Sequence, residues 1–105
     1  MHDPILTEKD LFISIRMALA INALRDALDS MTRLAGIWIE RGETQEGADI
    51  LAFVMRHRDT ASDTEALAQE LWDDLATYRC PRVLVDAEDF GKKATLEDMI
   101  EYIFV

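Results

Sequence analysis

The stretch that most constrains this chain runs from residue 25 to residue 57, RDALDSMTRLAGIWIERGETQEGADILAFVMRH, and it reads as two helices folded back on each other. Leu24, Leu28, Met31, Leu34, Ala35 and Trp38 recur at three- and four-residue steps. Ala48, Leu51, Ala52, Val54 and Met55 do the same on the far side of Arg41-Gly42-Glu43-Thr44. Gly42 is expected to take the left-handed conformation that ends the first helix, and Thr44 to accept a hydrogen bond from the backbone N–H of Glu46 or Gly47 at the start of the second. A helical hairpin follows, with Gly42 at positive φ.

The rest of the chain can be read outward from that hairpin. Thr7 and Asp10 form a capping box, so a first helix should start at Glu8 and run to about residue 21. It has two apolar faces, Phe12, Ile15 and Leu19 on one and Ile13, Met17 and Ile21 on the other, about 100° apart. Asn22 tolerates the left-handed conformation and the apolar stripe changes phase there, which favours a break before a second helix over residues 25–41. One uninterrupted helix from Glu8 to Arg41 is the alternative, since neither Gly nor Pro marks the break.

Beyond the hairpin's second helix, 45–57, Arg56 to Thr60 is a polar connection. Ser62 and Glu65 offer another capping box, opening a helix over 62–78. Leu67, Leu71 and Leu75 make its apolar stripe, with Ala68, Trp72 and Ala76 beside it. Asp59, Asp63, Glu65, Glu70, Asp73 and Asp74, with no basic residue between Arg58 and Arg79, leave an acidic outer face. Cys80-Pro81 ends that helix. A short helix is expected over 84–90, stopped by Gly91, and Thr95 with Asp98 caps a last helix over 96–104 whose apolar end should pack down.

These elements make the chain all-α, a single domain over residues 1–105 with one modest core. A hydrophobic fraction of 50% with four Gly and two Pro fits a folded, helix-rich chain. Twenty-one acidic residues against eleven basic ones give a net charge of −10, which repels phosphate backbones and argues against nucleic acid as a partner. The most apolar run, Leu11 to Leu24, is broken by Ser14, Arg16 and Asn22 and falls short of the ~20 residues that span a bilayer. A single cysteine, Cys80, and an acidic start without a basic n-region fit a reducing compartment, and a cytoplasmic location is expected.

Chemistry has little to stand on. His2 and His57 have no partner at metal-ligand spacing, and His57 is read as a helix C-terminal residue suited to the dipole. Cys80 reads as an inert, half-buried thiol, and Glu70, Asp73 and Asp74 as solvated surface carboxylates. No nucleophile elbow, EF-hand loop or G-x-x-x-x-G-K-S/T motif is present in the sequence. Neither a catalytic residue nor a metal or cofactor is expected.

In layout the hairpin resembles a tetratricopeptide repeat, with small Ala35, aromatic Trp38, turn Gly42, small Gly47 and Leu51 at the offsets that interlock its two helices. An ordinary hairpin without repeat ancestry would use the same residues. Three stretches taken together, LAGIWIERGETQEGADILAFVMRH, RHRDTASDTEALAQELWDDL and EDFGKKATLEDMIEYIF, are similar in order to the C-terminal tetratricopeptide-like segment of bacterial STAND-class signalling ATPases and transcriptional activators. His57 and Thr60 match that family's connection, with Arg58 where it has proline, and Gly91-Lys92 followed by Thr95-Leu96-Glu97-Asp98 matches its tail. The resemblance implies antiparallel hairpins stacked as an array with a C-terminal capping helix. It also implies a non-catalytic interaction or ligand-sensing scaffold segment of a signalling protein. The competing class is a small regulatory protein that self-associates or inhibits a basic partner. Because one hairpin can cover only one face of the first helix, self-association through Leu11, Phe12, Ile15 and Leu19 is expected, with adjacent repeats of a longer chain as the alternative cover.

Overall fold

The computed structural model describes residues 7–78 and 81–104. They form six helices in the order α1 (Glu8–Ala20), α2 (Leu24–Glu40), α3 (Thr44–Arg56), α4 (Ser62–Tyr78), α5 (Pro81–Lys93) and α6 (Leu96–Phe104). The fold is all-α, and its helices are compatible with an array of hairpins. His2 and Cys80, which carry sequence expectations, lie outside the described residues.

Two turns of one design set the first half of the molecule. At the end of α1 the Ala23 N–H donates to the carbonyl of Ala18 at 2.8 Å and the Asn22 N–H to Leu19 at 3.2 Å. At the end of α2 the Glu43 N–H donates to Trp38 at 2.8 Å and the Gly42 N–H to Ile39 at 3.1 Å. Both are Schellman closures, which need one left-handed residue. Asn22 supplies it at φ 59° and Gly42 at φ 96°. The Asn22 break therefore decides between the two readings of residues 8–41, and they are two helices. Nothing lies within 4 Å of a Cβ built on Gly42, so a side chain there meets open space and only the backbone conformation resists it. Gly42→Val is expected to destabilise the domain by about 1–2 kcal/mol and Gly42→Asn by clearly less. Urea midpoints of the two variants check this, and equal midpoints would contradict it.

The helix starts differ in how they are held. Thr7 and Asp10 bond reciprocally at the start of α1, and Thr95 and Asp98 do the same before α6, with distances of 2.9–3.2 Å. Thr44 does not cap α3. The cap position is Glu43, with no side-chain hydrogen bond, and Thr44 is already the first helical residue. Ser62 likewise lies inside α4, whose first turn opens on the carbonyl of Ala61, so its expected capping box with Glu65 does not form.

The central element is α3. Its residues Gly47 to Val54 are all buried, eight in succession, which happens only when a helix is covered on every side. The α2 helix packs on it through the turn, α5 lies along it from Val83 beside Gln45 to Gly91 beside Ala52, and α4 and α6 close the remaining sides. At the α2 contact a Cβ on Gly47 would lie 2.5 Å from Ile39 Cγ1 and 2.8 Å from the Ala35 carbonyl. The missing side chain thus brings the two helices together at Ala35 and Ile39. Trp38 turns away from that contact towards α1, where its indole N–H donates to Glu8 at 2.6 Å.

The segment after Pro81 departs from expectation. Where a short helix stopping at Gly91 was read, the chain forms a thirteen-residue helix to Lys93 with Gly91 buried inside it. A Cβ at Gly91 would meet the backbone carbon, oxygen and Cβ of Ala52, each at 3.0 Å. Gly91 is therefore a point of close approach between α5 and α3, and that contact offsets the ~1 kcal/mol a helical glycine costs. Pro81 suits the first helical position, and Lys92 and Lys93 suit the negative end of the dipole.

Candidate functional site

The first helix was expected to carry an uncovered apolar face, and it does, but not the one assigned. Leu11 and Ile15 are core residues, 2% and 0% exposed, because α1 lies on α2 along them and Ala18. Phe12 is partly covered by Phe104 of α6, ring centres 5.4 Å apart, and Leu19 is partly buried against the core. The α2 helix takes one stripe of α1 and the end of α6 flanks it. What remains open is the other stripe: Ile13, Met17 and Ile21 are 48%, 65% and 75% exposed.

This stripe forms one wall of a groove between α1 and α2. The floor is made of small residues, Ala18, Ser14 and Ser30, the two hydroxyls hydrogen-bonded to each other at 2.9 Å across the helix pair. Asp10, Asp26 and Asp29 complete the lining, and no Lys or Arg is among the residues lining it. The Asp10 carboxylate accepts the Thr7 backbone N–H, and its hydrogen bonding with Thr7 holds the carboxyl below the ordinary value. Asp29 accepts from Arg33 Nε and from the Thr64 hydroxyl, both at 3.0 Å. On the opposite side of the stripe lie Lys9 and Arg16, the guanidinium of Arg16 sitting 4.5 Å above the Phe104 ring. Near the start of α1, Arg41 reaches both oxygens of Glu8 at 2.9 and 3.0 Å and also pairs with Glu43. The Arg41 and Trp38 hydrogen bonds lower the Glu8 carboxyl.

A second polar cluster, marked by no pattern in the sequence, sits half-buried between α3, α5 and α6. Asp49, 7% exposed, accepts the Tyr102 hydroxyl at 2.6 Å and the side-chain amide of Gln45 at 2.9 Å, and the same amide nitrogen donates to the Val83 carbonyl at 3.2 Å. Burial pushes the Asp49 carboxyl up, partly offset by these two donors, with Glu46 and Asp86 adding to the rise. Tyr102 is raised as well, by burial and then by its bond to Asp49. The work of the cluster is to tie α6 and α5 to the central helix, with the Phe90 and Tyr102 rings 4.9 Å apart beside it.

That assignment has a pH signature. A carboxyl whose folded pKa lies above its unfolded value binds more protons in the native state across the interval between the two. There the stability it contributes falls as pH rises. Glu8 and Asp10, lowered on folding, act in the opposite sense, their contribution being lost as pH falls. Asp49→Asn, which keeps an acceptor for Tyr102, is therefore expected to gain stability relative to the parent chain between about pH 4 and about pH 7. Urea unfolding of both chains at the two pH values checks it, and a difference that stays constant or shrinks would contradict it.

Elsewhere the arrangement offers no reactive constellation. Among the described residues no group of three or more His, Cys, Asp or Glu side chains is placed to hold a metal ion, and no helix is long and apolar enough to cross a membrane. His57 is the C-cap of α3, its Nδ1 accepting the Asp59 N–H at 3.1 Å while the ring packs by Phe53. Asp59, Asp63, Glu65, Glu70, Asp73 and Asp74 are all exposed. Of the packing residues singled out in the sequence, Ala35 and Leu51 are fully buried, Trp38 nearly so, and Gly47 and Gly91 sit at helix contacts. No family model matches the chain, and no curated protein or solved structure aligns with it significantly.

Proposed function

We propose that this chain is a non-catalytic protein-interaction or ligand-sensing scaffold segment of a bacterial signalling or regulatory protein, working in the cytoplasm. The observation that carries the reading is the open stripe Ile13, Met17 and Ile21 on a chain whose other large side chains are mostly packed. Exposed apolar surface of this kind on an otherwise well-packed domain marks a contact site. The scaffold assignment itself rests on the resemblance of the hairpin, connection and tail to tetratricopeptide-like segments.

A photo-crosslinking residue in place of Met17, in cells that make the protein, tests the reading. A discrete protein adduct at position 17, absent when the same residue replaces exposed Glu70 on α4, supports it. No adduct, or the same labelling at both positions, overturns it. Self-association through the same stripe is the second reading, favoured by the same exposed side chains. Sedimentation of the chain and of Met17→Asp separates the two, since only a self-associating chain loses mass on that substitution.

A further inference from the structure

We propose that the groove between α1 and α2 receives a basic amphipathic helix of a partner protein. The inference rests on the interaction reading above and names the chemistry of the partner. Ile13, Met17 and Ile21 stand at steps of four, one turn apart, so their side chains form a ridge that a second helix meets with apolar residues at three- and four-residue steps. The floor of Ser14, Ala18 and Ser30 is small enough to let that helix sit close, and Met17 is unbranched and adapts to what faces it.

An extended peptide finds no such match. The described residues are helices and short turns, so there is no strand edge whose N–H and C=O groups an extended segment could pair with. A helix brings its own backbone hydrogen bonds and needs only side-chain contacts. The rim then selects its charge. Asp10 and Asp26, with Asp29 already engaged by Arg33, border the groove without a lining cation, and the whole chain carries −10. That field attracts Lys- or Arg-flanked helices and raises their association rate. It opposes a second copy of this chain, which would bring another −10 to the contact. Over the thirteen residues of α1 the groove is ~20 Å long, enough for a partner helix of three to four turns.

The probes are two synthetic helical peptides with the same leucine face, one flanked by lysines and the other by glutamates, titrated into the full chain and followed by backbone amide shifts. The lysine peptide is expected to bind at least about tenfold tighter, to shift Ser14, Ala18 and Asp26, and to weaken severalfold with Asp26→Lys and with Met17→Asp. Equal affinity for the two peptides, no binding of either, or shifts centred on the acidic face of α4 around Glu70 and Asp73 would overturn the proposal. These outcomes are distinguishable from failure of the interaction reading. A crosslink at Met17 together with charge-independent peptide binding leaves the face in use but by another occupant, and one that joins two copies of the chain identifies that occupant as self.

Discussion

Ile15→Asp is expected to leave the chain largely unfolded in buffer at room temperature. The Ile15 side chain has no exposed surface and faces α2 from the middle of α1. The substitution removes about 2–3 kcal/mol of apolar burial and asks the site to hold a carboxylate for which, among the described residues, no cationic partner lies inside the core. The second cost is several kcal/mol even after protonation or local opening. A domain this size has about 5–15 kcal/mol in total. Met17→Asp, one turn away but 65% exposed, should change stability by less than about 0.5 kcal/mol. Far-UV circular dichroism with urea titration separates them, and a folded Ile15→Asp chain with the parental midpoint would show that α1 is not docked as described.

Gly91→Val should be the next most damaging change. A Cβ there meets Ala52 backbone atoms at 3.0 Å, and backbone cannot step aside as a flexible side chain does. Valine adds two further methyl groups in the same space, so α5 must lift from α3 and disturb Ala87 and Phe90 with it. Overpacking of this type costs about 1–3 kcal/mol, with more expected where backbone is the obstacle. Gly36 is the control: its Cβ would find only Leu71 methyls at 3.6 Å and beyond, an ordinary contact. Gly36→Ala is therefore expected to be neutral or to stabilise by up to about 1 kcal/mol. A Gly91→Val chain as stable as Gly36→Ala would mean that α5 does not approach α3 closely at this point.

The contrast between these glycines explains what could be read from the sequence. Turn glycines and capping boxes announce themselves because the causes are local: Gly42, Asn22, Thr7 with Asp10 and Thr95 with Asp98 all act within a few residues. Gly91 looked like the same signal and was a different one, a helix-contact glycine whose reason lies at Ala52, far along the chain. The spacing of Leu84, Ala87 and Gly91 could have revealed a longer helix with a small-residue face, but small residues barely register as an apolar stripe. On α1 both stripes were legible. Which of them would be covered depended on where α2 and the end of α6 came to rest, and no local pattern encodes that. Asp49 was missed for a related reason. In sequence it is one acid in an acidic chain, and only Tyr102, arriving from the last helix, distinguishes it.

The enclosure of α3 also sets how the molecule breathes. Backbone amides of a helix covered by its neighbours on every side exchange with solvent only when the whole domain opens. Those of α4, which buries Thr64, Ala68 and Leu75 and exposes most of its outer length, can exchange by local release. The domain is thus graded from a slow centre to a fast flank. That flank reaches the groove between α1 and α2 at one point, the Thr64 hydroxyl on groove-lining Asp29 at 3.0 Å, so local release of α4 frees that carboxylate at the groove's edge while α1 and α2 stay packed on each other.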